Sequence, residues 1–193
     1  MDVNIVKQLR EETGASVMEC NAALDETKGD LEKAKEILRR KGQATALKKS
    51  SRETKSGLIQ AYIHANGKVG VLLDLRCETD FVAKNDLFKE LAHDICLQIA
   101  AMSPEFVSEE EISEEFKNKE KEISKAEMKD SGKPEKIVEQ IIEGKLKKRF
   151  ADLCLLNQPY VKDPNQTIND LIKGYISKIG ENIKVLRFSR FEI

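Results

Sequence analysis

A change of hydrophobic period constrains the fold of this chain more than any other feature. Between Ile59 and Leu75 apolar residues recur at every second position, on both sides of Asn66-Gly67, as in two β-strands joined by a turn. Before and after this segment apolar residues recur every three or four positions, which is the period of an amphipathic helix. The sequence therefore predicts an α+β protein in which helices pack on a small antiparallel sheet.

The register of this β-hairpin depends on its loop. A two-residue loop at Asn66-Gly67 would place Val69 opposite His64 and mix polar and apolar side chains on each face. A three-residue loop that also includes Ala65, with Gly67 in the left-handed conformation, pairs Ile63 with Val69 and gives one wholly apolar face. We predict the three-residue loop.

The residues before the hairpin carry three helical patterns, which predict a three-helix module over residues 1–47. Ser16 and Glu19 have the spacing of a capping box, and Asp30 has the position of an N-cap. Basic residues just before Gly42 suit the end of the third helix, which we place at that glycine. The polar and basic residues 48–55 lack a period and predict a linker, and residues 56–193 form the predicted core domain.

The core domain is predicted to carry further helices and a terminal strand over residues 183–193. The first of these helices ends at Ser103-Pro104, and the last ends at Gly180. The predicted helix starts are Asn85, Ser108 in a capping box with Glu111, the turn Ser131-Gly132-Lys133-Pro134, and Thr167.

Composition and charge exclude several classes of protein. Lys and Arg total 33 against 34 Asp and Glu, so no global field attracts nucleic acid or an anionic membrane, and we expect neither as a direct partner. No apolar run is long enough to span a bilayer. The four cysteines are far apart and accompany only two histidines, which predicts buried thiols rather than a zinc site. Thiols without a leader sequence predict a cytoplasmic protein.

The sequence offers no catalytic constellation and no cofactor motif. It contains no glycine-rich phosphate loop, no Gly-x-Ser-x-Gly elbow and no metal-binding His pair on a helix. His93 and Asp94 are adjacent on a helix and therefore point apart. We predict that the protein is not an enzyme and binds no metal of its own.

The segment Thr79–Asn85, where a strand gives way to a helix, sets Asp80 beside Phe81 on a connector. Burying a phenyl ring is worth roughly 1.5–3 kcal/mol, so something should cover this one. In one interpretation Phe81 points outward and a partner covers it. In the other it folds back onto the hairpin, and the residues alone favour this second interpretation because most phenylalanines are buried.

Several segments, in chain order and over essentially the whole chain, resemble the translation elongation factor Ts family. They are Val6–Arg10, Thr13–Ser16, Met18–Cys20, Gly29-Asp30, Cys77–Asn85, Ser131–Pro134, Glu143–Lys145 and Asn157–Val161. The resemblance implies a guanine nucleotide exchange factor that binds GDP-bound elongation factor Tu, dislodges its magnesium ion and promotes GDP release. It also implies that the N-terminal module is a ubiquitin-associated-like bundle.

The resemblance further implies two partner-binding surfaces. One lies around Val17 and Met18 of the N-terminal module. In the other, Phe81 acts as a wedge beside the nucleotide and Asp80 disturbs the network that holds the water ligands of the ion. The residues of this second surface are Thr79, Asp80, Phe81, Val82 and Ala83.

The length of the chain resembles the short form of the family, which works as a homodimer. It leaves no room for the second core half and the projecting coiled coil of long members, and residues 185–193 form a candidate strand for pairing across a dimer. Two other functions stay open: a helical adaptor that binds a protein without touching its nucleotide, and a ribosome- or RNA-associated protein that uses the basic linker.

Overall fold

The structure is a computed structural model that describes residues 3–128 and 135–193. Of Glu135 it describes only the backbone. The protein combines helices with a small antiparallel sheet, as in an α+β protein and as predicted. The helices are α1 (Val3–Thr13), α2 (Val17–Glu26), α3 (Leu31–Lys49), α4 (Asp80–Ala83), α5 (Asp86–Met102), α6 (Glu114–Met128), α7 (Glu135–Leu153) and α8 (Ile168–Ile179). The strands are β1 (Ser56–Ile63), β2 (Val69–Cys77), β3 (Pro159–Tyr160), β4 (Asp163–Thr167) and β5 (Ile183–Glu192).

Helices α1, α2 and α3 enclose a small core of their own, which includes Leu9 and Leu24. The Ser16–Glu19 capping box is present, and the Asp30 side chain accepts a hydrogen bond from the Lys33 amide. Both predicted caps are therefore confirmed. The division into a module 1–47, a linker 48–55 and a core domain 56–193 stays a prediction.

The predicted end of the third helix at Gly42 is wrong, because α3 continues to Lys49. Gly42 lies against Ser177 of α8, where an added Cβ would sit 3.4 Å from the serine side chain, and Ala46 is buried in the main core. This packing outweighs the roughly 1 kcal/mol that glycine costs inside a helix. Two residues of the predicted linker are thus helical, and the irregular connection runs only over residues 50–55.

The main sheet has the strand order β1-β2-β5, and both pairings are antiparallel. The predicted three-residue loop is wrong: Ile63 pairs with Gly70, and the His64 amide donates to the Val69 carbonyl oxygen. This is the register that we rejected. The register is set by a turn in which the Gly67 amide donates to the His64 carbonyl oxygen and Gly67 has φ +69°. The geometry of this turn therefore outweighs the separation of polar and apolar side chains onto different faces.

This register puts apolar residues on both faces of the sheet. The inner face carries Leu58 and Tyr62 of β1 and Val71, Leu73 and Leu75 of β2, all packed in the main core. The outer face carries the large side chains Ile59, Ile63, Leu72 and Phe191, all exposed. The terminal strand β5, which the sequence predicted, pairs with β2 and forms one edge of the sheet.

Helices α5 and α8 cover the inner face of the sheet. Helix α5 begins at the cap Asn85, as predicted, and fully buries Phe88, Leu91, Ile95 and Ile99. The short strand β3 is fixed to α5 because the Tyr160 hydroxyl donates to the buried Asp94 carboxylate at a distance of 2.5 Å. Helix α8 begins with the predicted cap at Thr167, here in a capping box with Asp170, and ends at Gly180.

Helices α6 and α7 form an antiparallel pair joined by Lys145–Glu127 and Arg149–Glu120 ion pairs. This pairing of two helices was not predicted from the sequence. The predicted capping box at Ser108 is wrong: Ser108 makes no capping bond, residues 109–111 form a 3-10 turn, and α6 begins only at Glu114. The Glu111 carboxylate instead accepts from the Val107 amide at 2.7 Å. The predicted turn Ser131–Pro134 lies outside the described residues.

Candidate partner-binding site

The segment Thr79–Lys84 forms a single helical turn, α4, between β2 and α5. The Thr79 hydroxyl oxygen caps the turn by accepting from the Val82 amide at 3.5 Å. Val82 is buried and Ala83 packs against the main core, whereas the Phe81 side chain is 88% exposed. The interpretation in which the ring folds back onto the hairpin is therefore wrong.

The backbone before this turn is held by a carboxylate that the sequence analysis did not identify. One oxygen of Glu181 accepts from the amides of Glu78 and Thr79 at 3.1 and 3.0 Å. Its other oxygen accepts from the Thr79 hydroxyl at 2.7 Å. Charge-assisted bonds of this kind are stronger than neutral ones. Since Glu181 lies 102 positions after Thr79, no local sequence pattern could have revealed it.

The neighbouring Asn182 connects the same region to the end of α3. Its amide donates to the Glu78 carboxylate at 2.6 Å. Its side-chain amide donates to the carbonyl oxygens of Ser50 and Arg52 at 3.3 and 2.8 Å. Asn182 is only 2% exposed, so its bonds are shielded from water. The α8–β5 turn therefore fixes α4 and the chain after α3 relative to each other.

Val17 and Met18, the residues predicted for the N-terminal surface, lie in the first turn of α2. They are 47% and 83% exposed, because Cys20 and Leu24 occupy the side of α2 that faces the small core. Helix α2 packs against α1 and α3, whereas α4 packs against β1, β2 and α5. The two predicted surfaces thus lie on separate elements.

The side chains of Asp80 and Phe81 are both accessible on the α4 turn. Asp80 is exposed next to Phe81 and takes part in the turn through its carbonyl oxygen, which accepts from the Lys84 amide at 3.2 Å. The Asp80 carboxylate therefore faces solvent. A partner docking on α4 would meet a ring and a negative charge on a backbone that is already ordered.

All four cysteines are buried and unpaired, which confirms the predicted thiols. Burial raises the pKa of Cys77 to about 11 and that of Cys96 to about 12. Each of these two therefore stays protonated at neutral pH and is a poor nucleophile.

Within residues 3–128 and 135–193, no helix combines the length and apolar character needed to cross a bilayer.

Comparisons with known proteins agree with this architecture. A family model described as "Elongation factor TS" matches residues 3–193. Elongation factor Ts of Fervidobacterium nodosum is 56% identical over all of this chain and 98% of its own length. The same factor of Thermotoga neapolitana is 53% identical over all of this chain and 97% of its own length. That of Carboxydothermus hydrogenoformans is 52% identical over 98% of this chain and 87% of its own.

The fold and the match place the chain in a class of translation factors. It belongs to the elongation factor Ts family, the nucleotide exchange factors of elongation factor Tu.

Proposed function

We propose that this protein binds GDP-bound elongation factor Tu, dislodges the magnesium ion of that partner and so releases GDP during translation elongation. The observation that carries the proposal is the Phe81 ring, 88% exposed on a turn whose backbone is held by buried Val82 and by Glu181. An exposed ring on an ordered turn is suited to enter a partner, since little further ordering is needed on binding.

Asp80 and Phe81 have different roles in this proposal. Burying one phenyl ring contributes roughly 1.5–3 kcal/mol, which weakens nucleotide binding by about ten- to a hundredfold if that free energy is used against GDP. Removing magnesium withdraws the main positive charge from the phosphates, which is a larger electrostatic effect. The exposed Asp80 carboxylate disturbs the hydrogen bonds of the water ligands of the ion, and Val82 and Ala83 support the base of the wedge.

Exchange of this kind requires no catalytic residue, and the protein is not an enzyme in this proposal. Binding linkage is reciprocal: if the protein weakens GDP binding, GDP weakens binding of the protein by the same factor. A wide interface therefore supplies the free energy. Val17 and Met18, exposed on α2, provide a second contact with the nucleotide-binding domain of the partner, and the complex forms in the cytoplasm.

We also propose that the protein works as a homodimer through the outer face of its sheet. Ile63 and Phe191 flank Gly70 in one row of the sheet, and Leu72 lies in the next. All three large side chains are exposed. An apolar sheet face of this kind is stabilised when a second sheet covers it. Pairing of the β5 edges, the arrangement suggested by the sequence, is a second geometry for the same dimer.

The test is release of a fluorescent GDP from elongation factor Tu, followed by stopped flow. The wild-type protein should accelerate release strongly, and Phe81→Ala should reduce the acceleration by about ten- to a hundredfold. Phe116→Ala, which truncates a half-buried phenylalanine packed edge to face on Phe106, serves as a control for loss of a phenyl ring far from α4. Binding of elongation factor Tu without faster release would instead indicate an adaptor, and release that Phe81→Ala leaves unchanged would contradict the wedge.

A further inference from the structure

The carboxylate of Glu181 is placed where it orders the strand-to-turn junction that precedes Phe81. It accepts three hydrogen bonds, two from backbone amides and one from the Thr79 hydroxyl, at 2.7–3.1 Å. The amides of Glu78 and Thr79 lie between the last pairing of β2, at Cys77, and the first residue of α4. Neither the sheet nor the turn provides these amides with an acceptor, so Glu181 supplies one.

The junction is fixed from both directions. On the carboxyl side, buried Val82 holds the α4 turn against the core. On the amino side, Glu181 holds Thr79, which in turn caps α4 by accepting from the Val82 amide. Phe81 lies between these two points and makes no such anchoring contact of its own, since its side chain is 88% exposed. The position from which its side chain leaves the backbone is therefore set by the residues on either side.

The support of Glu181 is itself ordered by its neighbours. Gly180 ends α8, and its carbonyl oxygen accepts from the Lys49 ammonium group of α3. Asn182 is bonded to the chain after α3 and, through its amide, to Glu78. Because the residues on both sides of Glu181 are held in this way, its carboxylate is pre-organised to keep the Glu78–Thr79 backbone in one geometry.

We propose that Glu181 is a positioning residue of the exchange reaction, which acts on the partner only through the orientation of Phe81. The inference rests on the proposed exchange function. Without this carboxylate the Glu78–Thr79 backbone loses its acceptor, and the turn must be ordered again each time the ring enters the partner. Nucleotide exchange should then slow, while the other surfaces of this protein bind elongation factor Tu with unchanged affinity.

The experiment is stopped-flow GDP release at increasing concentrations of wild type, Glu181→Gln, Phe81→Ala and the double variant. Glutamine keeps the size of the side chain but removes its charge and replaces one of its two acceptor oxygens with a donor, so that the two amides and the Thr79 hydroxyl can no longer all donate to carboxylate oxygens. We expect Glu181→Gln to lower the maximal exchange rate about tenfold, a change of the size produced by one lost charge-assisted bond. Glu122→Gln, an exposed position on α6, removes the same charge as a control and should leave the rate unchanged.

The double variant separates positioning from a general structural effect. If Glu181 acts through the ring, Glu181→Gln should change the rate less than twofold in the Phe81→Ala background, because the interaction energy then equals the whole effect. Equal losses in both backgrounds would overturn the inference, as would a Glu181→Gln variant that matches wild type. If the Glu181→Gln protein does not fold in a thermal unfolding assay, Thr79→Val removes the hydroxyl bond to Glu181 together with the hydroxyl cap on the Val82 amide and should lower the rate in the same direction.

The two proposals fail in different ways. A wild-type protein that does not accelerate GDP release overturns the exchange function and this inference together. Acceleration that depends on Phe81 but not on Glu181 leaves the exchange function intact and overturns the inference alone.

Discussion

The two faces of the three-stranded sheet are both apolar, but only one is covered. Leu73 of the inner face is 0% exposed beneath α5 and α8, whereas its neighbour Leu72, on the outer face, is 47% exposed. Strand alternation places such neighbours on opposite faces. The comparison shows that an apolar residue in a strand does not by itself identify the core, and that the part of the chain which the structure describes leaves these outer-face residues exposed.

The largest effect should come from truncating the inner face. Leu73→Ala should lower the free energy of unfolding by about 2–5 kcal/mol, because it leaves a cavity in a packed core. Leu72→Ala, the same change one residue earlier, should cost less than about 1 kcal/mol in dilute solution. Chemical denaturation of both variants at submicromolar concentration measures the difference. Equal losses would mean that the outer face is covered within the single chain.

A smaller effect should come from placing a charge on the outer face. Ile63→Lys removes one apolar contact and buries an ammonium group if two sheets meet. The dimer dissociation constant should therefore rise by at least about tenfold, since one buried aliphatic side chain is worth roughly 1.5–3 kcal/mol. Analytical ultracentrifugation measures this constant. Leu47→Lys, at a comparably exposed position on α3, is the control, and a monomeric wild type at micromolar concentration would contradict the proposed dimer.

The smallest effect concerns the charged end of the outer face. The Asp74 carboxylate is 4% exposed and accepts from the Arg76 guanidinium at 2.5 and 2.9 Å. This bond lowers the pKa of Asp74 below its ordinary value. A lowered carboxyl pKa stabilises the fold above the unfolded pKa, and the contribution is lost as pH falls through the folded pKa.

Asp74→Asn should therefore reduce stability at pH 7 by about 1 kcal/mol and flatten its decline below about pH 4. Urea denaturation at several pH values between 2 and 7 tests this expectation. Asp25→Asn, at an exposed position in α2, removes the same charge as a control. An unchanged acid dependence in Asp74→Asn would show that the contacts of this carboxylate with Arg76 and Arg187 do not stabilise the fold.

Local features of the fold were predictable because their causes lie within a few residues. Caps at Ser16, Asp30, Asn85 and Thr167 were found from the sequence since each bonds to an amide two or three positions later. The capping pattern at Ser108 failed although its spacing was correct, because Glu111 bonds instead to Val107. A local sequence pattern indicates which hydrogen bonds are available, and the surrounding structure determines which of them forms.

The candidate site also contains residues that the sequence could identify and residues that it could not. Asp80 and Phe81 were recognised from the chain alone, through an acid and an aromatic on a connector and through the resemblance to a family. Whether the ring was covered could not be decided from the sequence, because residues on either side of a strand–helix junction can face either way. Glu181, more than a hundred positions distant, required the folded chain to be seen beside Thr79.

The amino-acid order by itself determined four helix starts, at Ser16, Asp30, Asn85 and Thr167, because caps and hydrophobic period act between residues close in the chain. The turn at Gly67 set the hairpin register. Tertiary structure decided two other features, the continuation of α3 through Gly42 and the exposure of Phe81. Each of these depends on contacts between segments that are distant in sequence, such as Gly42 with Ser177 and Thr79 with Glu181. The free energy of such contacts arises only when the whole chain is packed, and the order of residues along one segment does not contain it.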